Sequence, residues 1–123
     1  MELARWETSL SDEVDLYFSD LVDKGGRLII HVVSRTGRKY AVNFDWVGPY
    51  LVLDEGYRTS YWSKCRERVG ATFIVHESPL IAYFDQEPTF RIECPSPEHL
   101  VIATIDVVIE VITNTRPLIK AYG

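Results

Sequence analysis

The sequence predicts an α+β fold, with an N-terminal helix packed on a curved, mainly antiparallel sheet of about six strands. Three observations carry that prediction. Apolar residues between Ser9 and Asp23 recur at helical spacing, and from Arg27 onward the apolar period changes to two. Several later connections are too short to hold a crossover helix, which favours antiparallel neighbours. A length of 123 residues predicts one domain, 1–123, able to bury roughly two-thirds of the surface its unfolded chain exposes.

Ser9-Leu10-Ser11-Asp12 has the form of a capping box. Val14, Tyr17, Phe18, Leu21 and Val22 then follow at i, i+3, i+4, i+7 and i+8, one stripe of a helix that Gly25-Gly26 would end with a left-handed residue. Arg27 to Ser34 alternates with apolar residues on both faces and predicts an interior strand. After a turn at Thr36-Gly37, Lys39 to Trp46 alternates again, and Tyr50 to Leu53 completes an antiparallel meander beyond Gly48-Pro49.

Tyr57 to Gly70 predicts a short helix, because Tyr61, Cys65 and Val69 repeat at i+4, and Ala71 to His76 predicts a strand. Ser78-Pro79 is an N-cap followed by proline at the first helical position, so one or two helical turns are expected over Leu80 to Phe84, with a strand as the alternative. Thr89 to Cys94 alternates as a strand. His99 to Thr104 and Val107 to Thr113 form a final hairpin, and Pro117 closes the regular structure.

The charges are sorted into blocks. Met1 to Asp23 carries Glu2, Glu7, Asp12, Glu13, Asp15, Asp20 and Asp23 against Arg5 alone, whereas Lys24 to Lys39 holds five bases and no acid. Arg58 to Arg68 is again basic, and Glu77 to Glu110 is acidic apart from Arg91. Segregated charge repels itself unless something of opposite sign docks there, so the pattern points to a binding surface. A net charge of −5 makes nucleic acid an unlikely ligand, since phosphate neutralisation supplies most of that affinity. Met1 to Ser11 has no apolar signal region, and the longest apolar stretches fall well short of a ~20-residue membrane span. The expectation is a soluble, cytoplasmic protein with Cys65 and Cys94 as reduced thiols, one disulfide between them being the alternative.

No catalytic motif stands out. His31, His76 and His99 lack metal-ligand spacing, and a zinc site would need them assembled with Cys65 and Cys94 from distant strands. No cofactor and no metal are expected. A Cys-His-acid set built on Cys94 and His99 is available on paper only, because both cysteines also read as core. Asp54-Glu55 and Asp85 with Glu87 are carboxylate pairs in loops beside Gly or Pro. Tyr57, Tyr61 and Trp62 surround Arg58, a grouping of residue types enriched at binding hot spots.

The whole profile resembles that of bacterial toxin-immunity proteins, which are small, acidic, cytoplasmic and free of catalytic motifs. The run Ser78-Pro79-Leu80-Ile81, followed by His99 to Ile112 and Pro117, is similar to a pattern recurring in small uncharacterised bacterial proteins. The resemblance implies a non-enzymatic protein that neutralises a cognate basic toxin or nuclease domain by electrostatic docking and active-site occlusion. Chosen by position and charge, the partner-binding candidates are Asp12, Asp15, Asp20, Asp54, Glu55, Asp85 and Glu87, with Tyr57 and Trp62 as aromatic anchors. Two alternatives remain open: a small-molecule-binding domain or enzyme with a pocket in a curved sheet, and a structural oligomeric subunit.

Overall fold

The computed structural model describes residues 1–63 and 69–123 and is mainly β. A five-stranded antiparallel sheet runs in the order β1 (Glu2–Arg5), β6 (Thr72–His76), β7 (Glu98–Ala103), β8 (Val107–Thr113), β5 (Tyr50–Asp54). A four-stranded antiparallel sheet runs β2 (Tyr17–Lys24), β3 (Arg27–Val33), β4 (Lys39–Phe44), β9 (Leu118–Tyr122). Three short helices appear among the described residues: α1 (Thr59–Trp62, after a 3-10 turn at Glu55–Arg58), α2 (Pro79–Phe84) and α3 (Phe90–Glu93).

The expected N-terminal helix is absent, which overturns the α+β assignment. Its apolar spacing has a different cause. Strand β2 carries a bulge between Phe18 and Asp20, and the extra residue, Ser19, lets Phe18 and Leu21 face the same side although they are three apart. Opposite them stand Val32 and Ile30 of β3. Tyr17 and Val22 point the other way, and Val14 lies exposed in the preceding loop. Gly25 and Gly26, with φ of 62° and 98°, form the two-residue turn of the β2–β3 hairpin rather than a helix end. The capping-box residues instead build the loop between β1 and β2. There Ser11 and Thr72 of β6 both donate their hydroxyl protons to the Trp6 carbonyl, and Thr8 Oγ1–H donates to Thr72 Oγ1 at 2.9 Å. That buried polar knot seats Trp6, Leu10 and Leu16 in the core.

The meander is also corrected. β3 and β4 pair through a turn at Ser34–Arg38, but β5 leaves that sheet and pairs with β8. The crossing is tied down by two backbone bonds, Val47 N–H to Gly26 O (2.9 Å) and Gly48 N–H to Ile112 O (2.8 Å). Glycine suits position 48, because a Cβ there would lie 3.0 Å from the Ile112 carbonyl oxygen, a tight contact that the backbone would have to relieve by a few tenths of an ångström. Thr89 to Cys94 is not a strand: Phe90 and Cys94 sit four apart, on one face of α3 against Ile112. Pro117 does not end the regular structure, since β9 follows it at once as an edge strand on β4. The helix at Ser78-Pro79 forms as expected, with Ser78 Oγ accepting the Ile81 N–H. The expected helix over Tyr57 to Gly70 is seen in its first part, whereas Cys65 lies outside the described residues.

Three layers result. Between the sheets, Leu28, Ile30 and Val42 meet Leu100, Ile102 and Ile109, all essentially fully buried and each contributing about 1.5–3 kcal/mol by burial. The outer face of the five-stranded sheet is covered by Tyr61 and Val69, which pack on Phe73, Val101 and Val108, and by α2 and α3 around Ile112. The outer face of the four-stranded sheet has no such cover among the described residues.

Candidate functional site

Two places gather polar chemistry. The first lies under α1, on the outer face of the five-stranded sheet. β8 reads Val-Val-Ile-Glu-Val-Ile-Thr, so Glu110 is a lone charge in an apolar strand and has no access to water. Such a group must be paired and hydrogen-bonded. Tyr61 Oη donates to its Oε1 at 2.7 Å, His99 Nε2 lies 2.7 Å from the same oxygen, and Arg58 Nε donates to Oε2. His99, also buried, places Nδ1 2.6 Å from Ser78 Oγ, the hydroxyl that caps α2.

The polarity is consistent when Ser78 O–H donates to Nδ1 and Nε2–H donates to the carboxylate. Burial pushes the Glu110 carboxyl upward, yet the hydrogen bonds from His99, Tyr61 and Arg58 outweigh it, and the group sits below the ordinary carboxylate range. Burial first, then the Glu110 hydrogen bond, raises the Tyr61 phenol well above its usual value. The network therefore favours an ionised Glu110 and a neutral Tyr61, and it ties the 3-10 turn, α1, β7, β8 and the start of α2 to one point.

Beside Ser78 and His99 opens a shallow pocket of about 490 Å³, also lined by His76, Glu77, Asp85 and Glu98. Glu77 takes φ +51°, a left-handed conformation rare for a non-glycine residue, between β6 and α2. Most of the acids around the pocket are committed: Arg91 Nη2 donates to Asp85 at 2.8 Å and Arg116 Nη2 to Glu98 at 2.8 Å, and both guanidinium groups hold their partner's carboxyl below its usual range. Among the described residues no group of three or more His, Cys, Asp and Glu is placed to hold a metal ion. Cys94 is a buried free thiol whose burial raises its pKa, which suits a core residue rather than a nucleophile.

The second place is one end of the sandwich. Ile105 N–H bonds to Leu16 O (2.9 Å) and Glu55 N–H to Asp106 O (3.3 Å), so the β1–β2 loop, the β7–β8 turn and the start of the 3-10 turn meet there. Three segments that carry carboxylates share this end: Asp12, Glu13 and Asp15 in the β1–β2 loop; Asp54 and Glu55 after β5; and Asp106 in the β7–β8 turn. Asp12 is held by Arg5 Nη2 at 2.8 Å, Asp15 faces Arg35 at 3.8 Å, and Asp54 accepts the Gly56 N–H at 2.8 Å. Glu13 and Asp106 have no ion-pair partner among the described residues. Val14 and Tyr57 stand out from this end, 72% and 78% exposed.

The other sequence candidates lie elsewhere. Asp20 is on the outer face of the four-stranded sheet, bonded to His31 Nδ1. Asp85 and Glu87 sit at the opposite end, where α2 joins α3. Trp62 is half-buried, packs edge-on to Tyr61 and donates Nε1–H to Glu55 O (2.9 Å), so it is a packing residue more than an exposed anchor. The Glu110 network was missed, although a single acid inside an apolar strand was its signal.

No family model, curated protein or solved structure matches this chain. No helix among the described residues is long and apolar enough to cross a membrane.

Proposed function

We propose that the protein is a non-enzymatic, cytoplasmic binding protein that docks a basic macromolecule through the acidic end of its sandwich, in the manner of an immunity protein occluding a toxin. One observation carries the reading: three acid-bearing segments far apart in the chain are held at that end by the Leu16–Ile105 and Asp106–Glu55 backbone bonds, and Val14 and Tyr57 are exposed on two of them. Acids that steer, surrounding an aromatic and an aliphatic side chain free to be desolvated, make a suitable footprint for a cationic protein surface. The ion pairs of Arg5 and Arg35 blunt Asp12 and Asp15, which leaves Glu13 and Asp106 as the freer charges.

The test is capture from native lysate with wild-type protein and with a Glu13→Lys/Asp106→Lys variant, at low and high salt. A basic protein retained by the wild type, and lost both in the variant and at high salt, supports the reading. Capture indifferent to both removes it.

A second reading is favoured by the Ser78–His99–Glu110 chain of hydrogen bonds at the edge of a pocket, the residue types of a nucleophilic serine site. Ser78 Oγ is also the N-cap of α2, and Ser78 is nearly buried, both of which suit a structural clamp better than a nucleophile. A fluorophosphonate probe decides between them. Labelling that disappears in Ser78→Ala establishes the serine site, and an unlabelled protein leaves the clamp.

A further inference from the structure

We infer that two copies of this chain pack face to face through the outer surface of the four-stranded sheet, about a two-fold axis that runs along the strands between β3 and β4. The strand order β2-β3-β4-β9 and its register lay the outward side chains in rows. One row is Tyr17, Val33, Lys39, Tyr122. The next is Asp20, His31, Ala41, Lys120, and the third is Val22, Ile29, Asn43, Leu118.

This face is the apolar surface that the other layers leave open. Leu118 is 58% and Tyr122 46% exposed, and Tyr17 and Val22 are exposed over roughly two-fifths and one-third of their surface. An open sheet face with this much apolar side chain marks an interaction surface.

The rows say which partner fits. A two-fold axis along the strands sets β2 of one copy over β9 of the other, and β3 over β4. Tyr17 then meets Tyr122 and Val22 meets Leu118, apolar on apolar. Asp20, which also bonds His31 Nδ1 of its own chain, meets Lys120, acid on base. In the row beyond, Arg27, next to Leu28, would meet Asp45, next to Phe44. Lys120, Arg27 and Asp45 make no ion pair within the described residues, although Arg27, Asp45 and Lys120 border one shallow depression of about 450 Å³ with Leu118. The two outer strands of the face thus match each other in polarity and charge, while the inner strands set Val33 over Lys39, His31 over Ala41 and Ile29 over Asn43.

The area suffices. Strands about 4.8 Å apart and rows about 20 Å long give on the order of 500 Å² buried per copy, or about 1,000 Å² in total, the lower bound for a specific interface. The roughly 30° angle between aligned sheets displaces corner residues by about 5 Å, within reach of Lys and Arg side chains. Both ends of the sandwich stay free, so the inference stands apart from the proposed function.

Sedimentation equilibrium of the full chain, from about 1 to about 500 µM, tests it, with a dissociation constant in the micromolar range expected for so small an interface. Dimer mass at the upper concentrations is expected. Leu118→Lys, at an exposed edge position, should leave a folded monomer by circular dichroism. Asp20→Lys or Lys120→Asp alone should weaken the dimer about tenfold or more, and the two together should restore most of the loss. A monomer throughout the range, a dimer indifferent to Leu118→Lys, or a double variant no better than the singles would each overturn the inference.

Discussion

Arg58 Nε donates to Glu110 Oε2 across 52 residues of chain, joining the 3-10 turn after β5 to the middle of β8. Glu110 is fully buried, so this pair has little water to weaken it. Removing one partner from a buried pair strands the other, at a cost of about 3–5 kcal/mol. Glu110→Ala is therefore expected to destabilise by about that much in urea unfolding, and Tyr61→Phe, which loses one hydrogen bond to a charged group, by about 1.5–3 kcal/mol.

The same carboxylate sets an acid limit. Its pKa is depressed in the folded state, so it contributes stability that is complete above the unfolded value of about 4.3 and is lost as pH falls from there through the folded value. Asp85 and Glu98 act in the same direction. Stability should be nearly flat from neutrality to about pH 5 and fall below it. Glu110→Gln should flatten the fall; an unchanged acid slope in that variant would assign the loss to the surface acids.

Ser78 both caps α2 and bonds to His99. Ser78→Ala is expected to cost about 1 kcal/mol as a lost cap, or up to about 2 kcal/mol with the buried Nδ1 left unpartnered. Ser78→Thr should recover most of it. Thermal unfolding of the three proteins measures the difference.

Gly70 and Gly25 separate strain from space. Both have positive φ, +81° and +62°. A Cβ at Gly25 meets nothing within 4 Å, whereas one at Gly70 collides with the Ser11 carbonyl oxygen, the acceptor of the Ala71 N–H. Gly25→Ala should cost about 1 kcal/mol from backbone conformation alone. Gly70→Ala should cost clearly more and loosen the β1–β2 loop, detectable as faster amide exchange at Ala71.

Under the proposed function, association with a basic protein should slow as salt rises, by about tenfold or more between low and physiological ionic strength. Glu13→Lys should reproduce the effect at constant salt and leave the unfolding midpoint nearly unchanged, since Glu13 holds no ion pair among the described residues. Stopped-flow kinetics with the captured protein would read both.

Much of the local structure was legible in the residues. β3, β4, β6 and the β7–β8 hairpin follow from period two, and α2 from Ser78-Pro79, because alternation and capping act within a few residues. β2 was misread because one inserted residue, Ser19, makes a strand imitate helical spacing: a bulge is invisible until the partner strand supplies the register. α3 was misread for the reverse reason, four residues being too short for period to discriminate. At the acidic end the blocks were visible, but not that the segments of Asp106 and Asp54 share an end with that of Asp15 while Asp85 lies at the other.

From the sequence alone came the strand segments β3 to β8, the Thr36-Gly37 turn, the start of α2 and the segregation of charge, all of which depend on side chains near one another along the chain. Tertiary structure decided that β5 leaves its neighbour for β8, that Glu110 is enclosed by Arg58, Tyr61 and His99, and which acid-bearing segments share an end. These are contacts between residues dozens of positions apart. Their free energy comes from burial and desolvation that exist only once both sheets have closed on the common core.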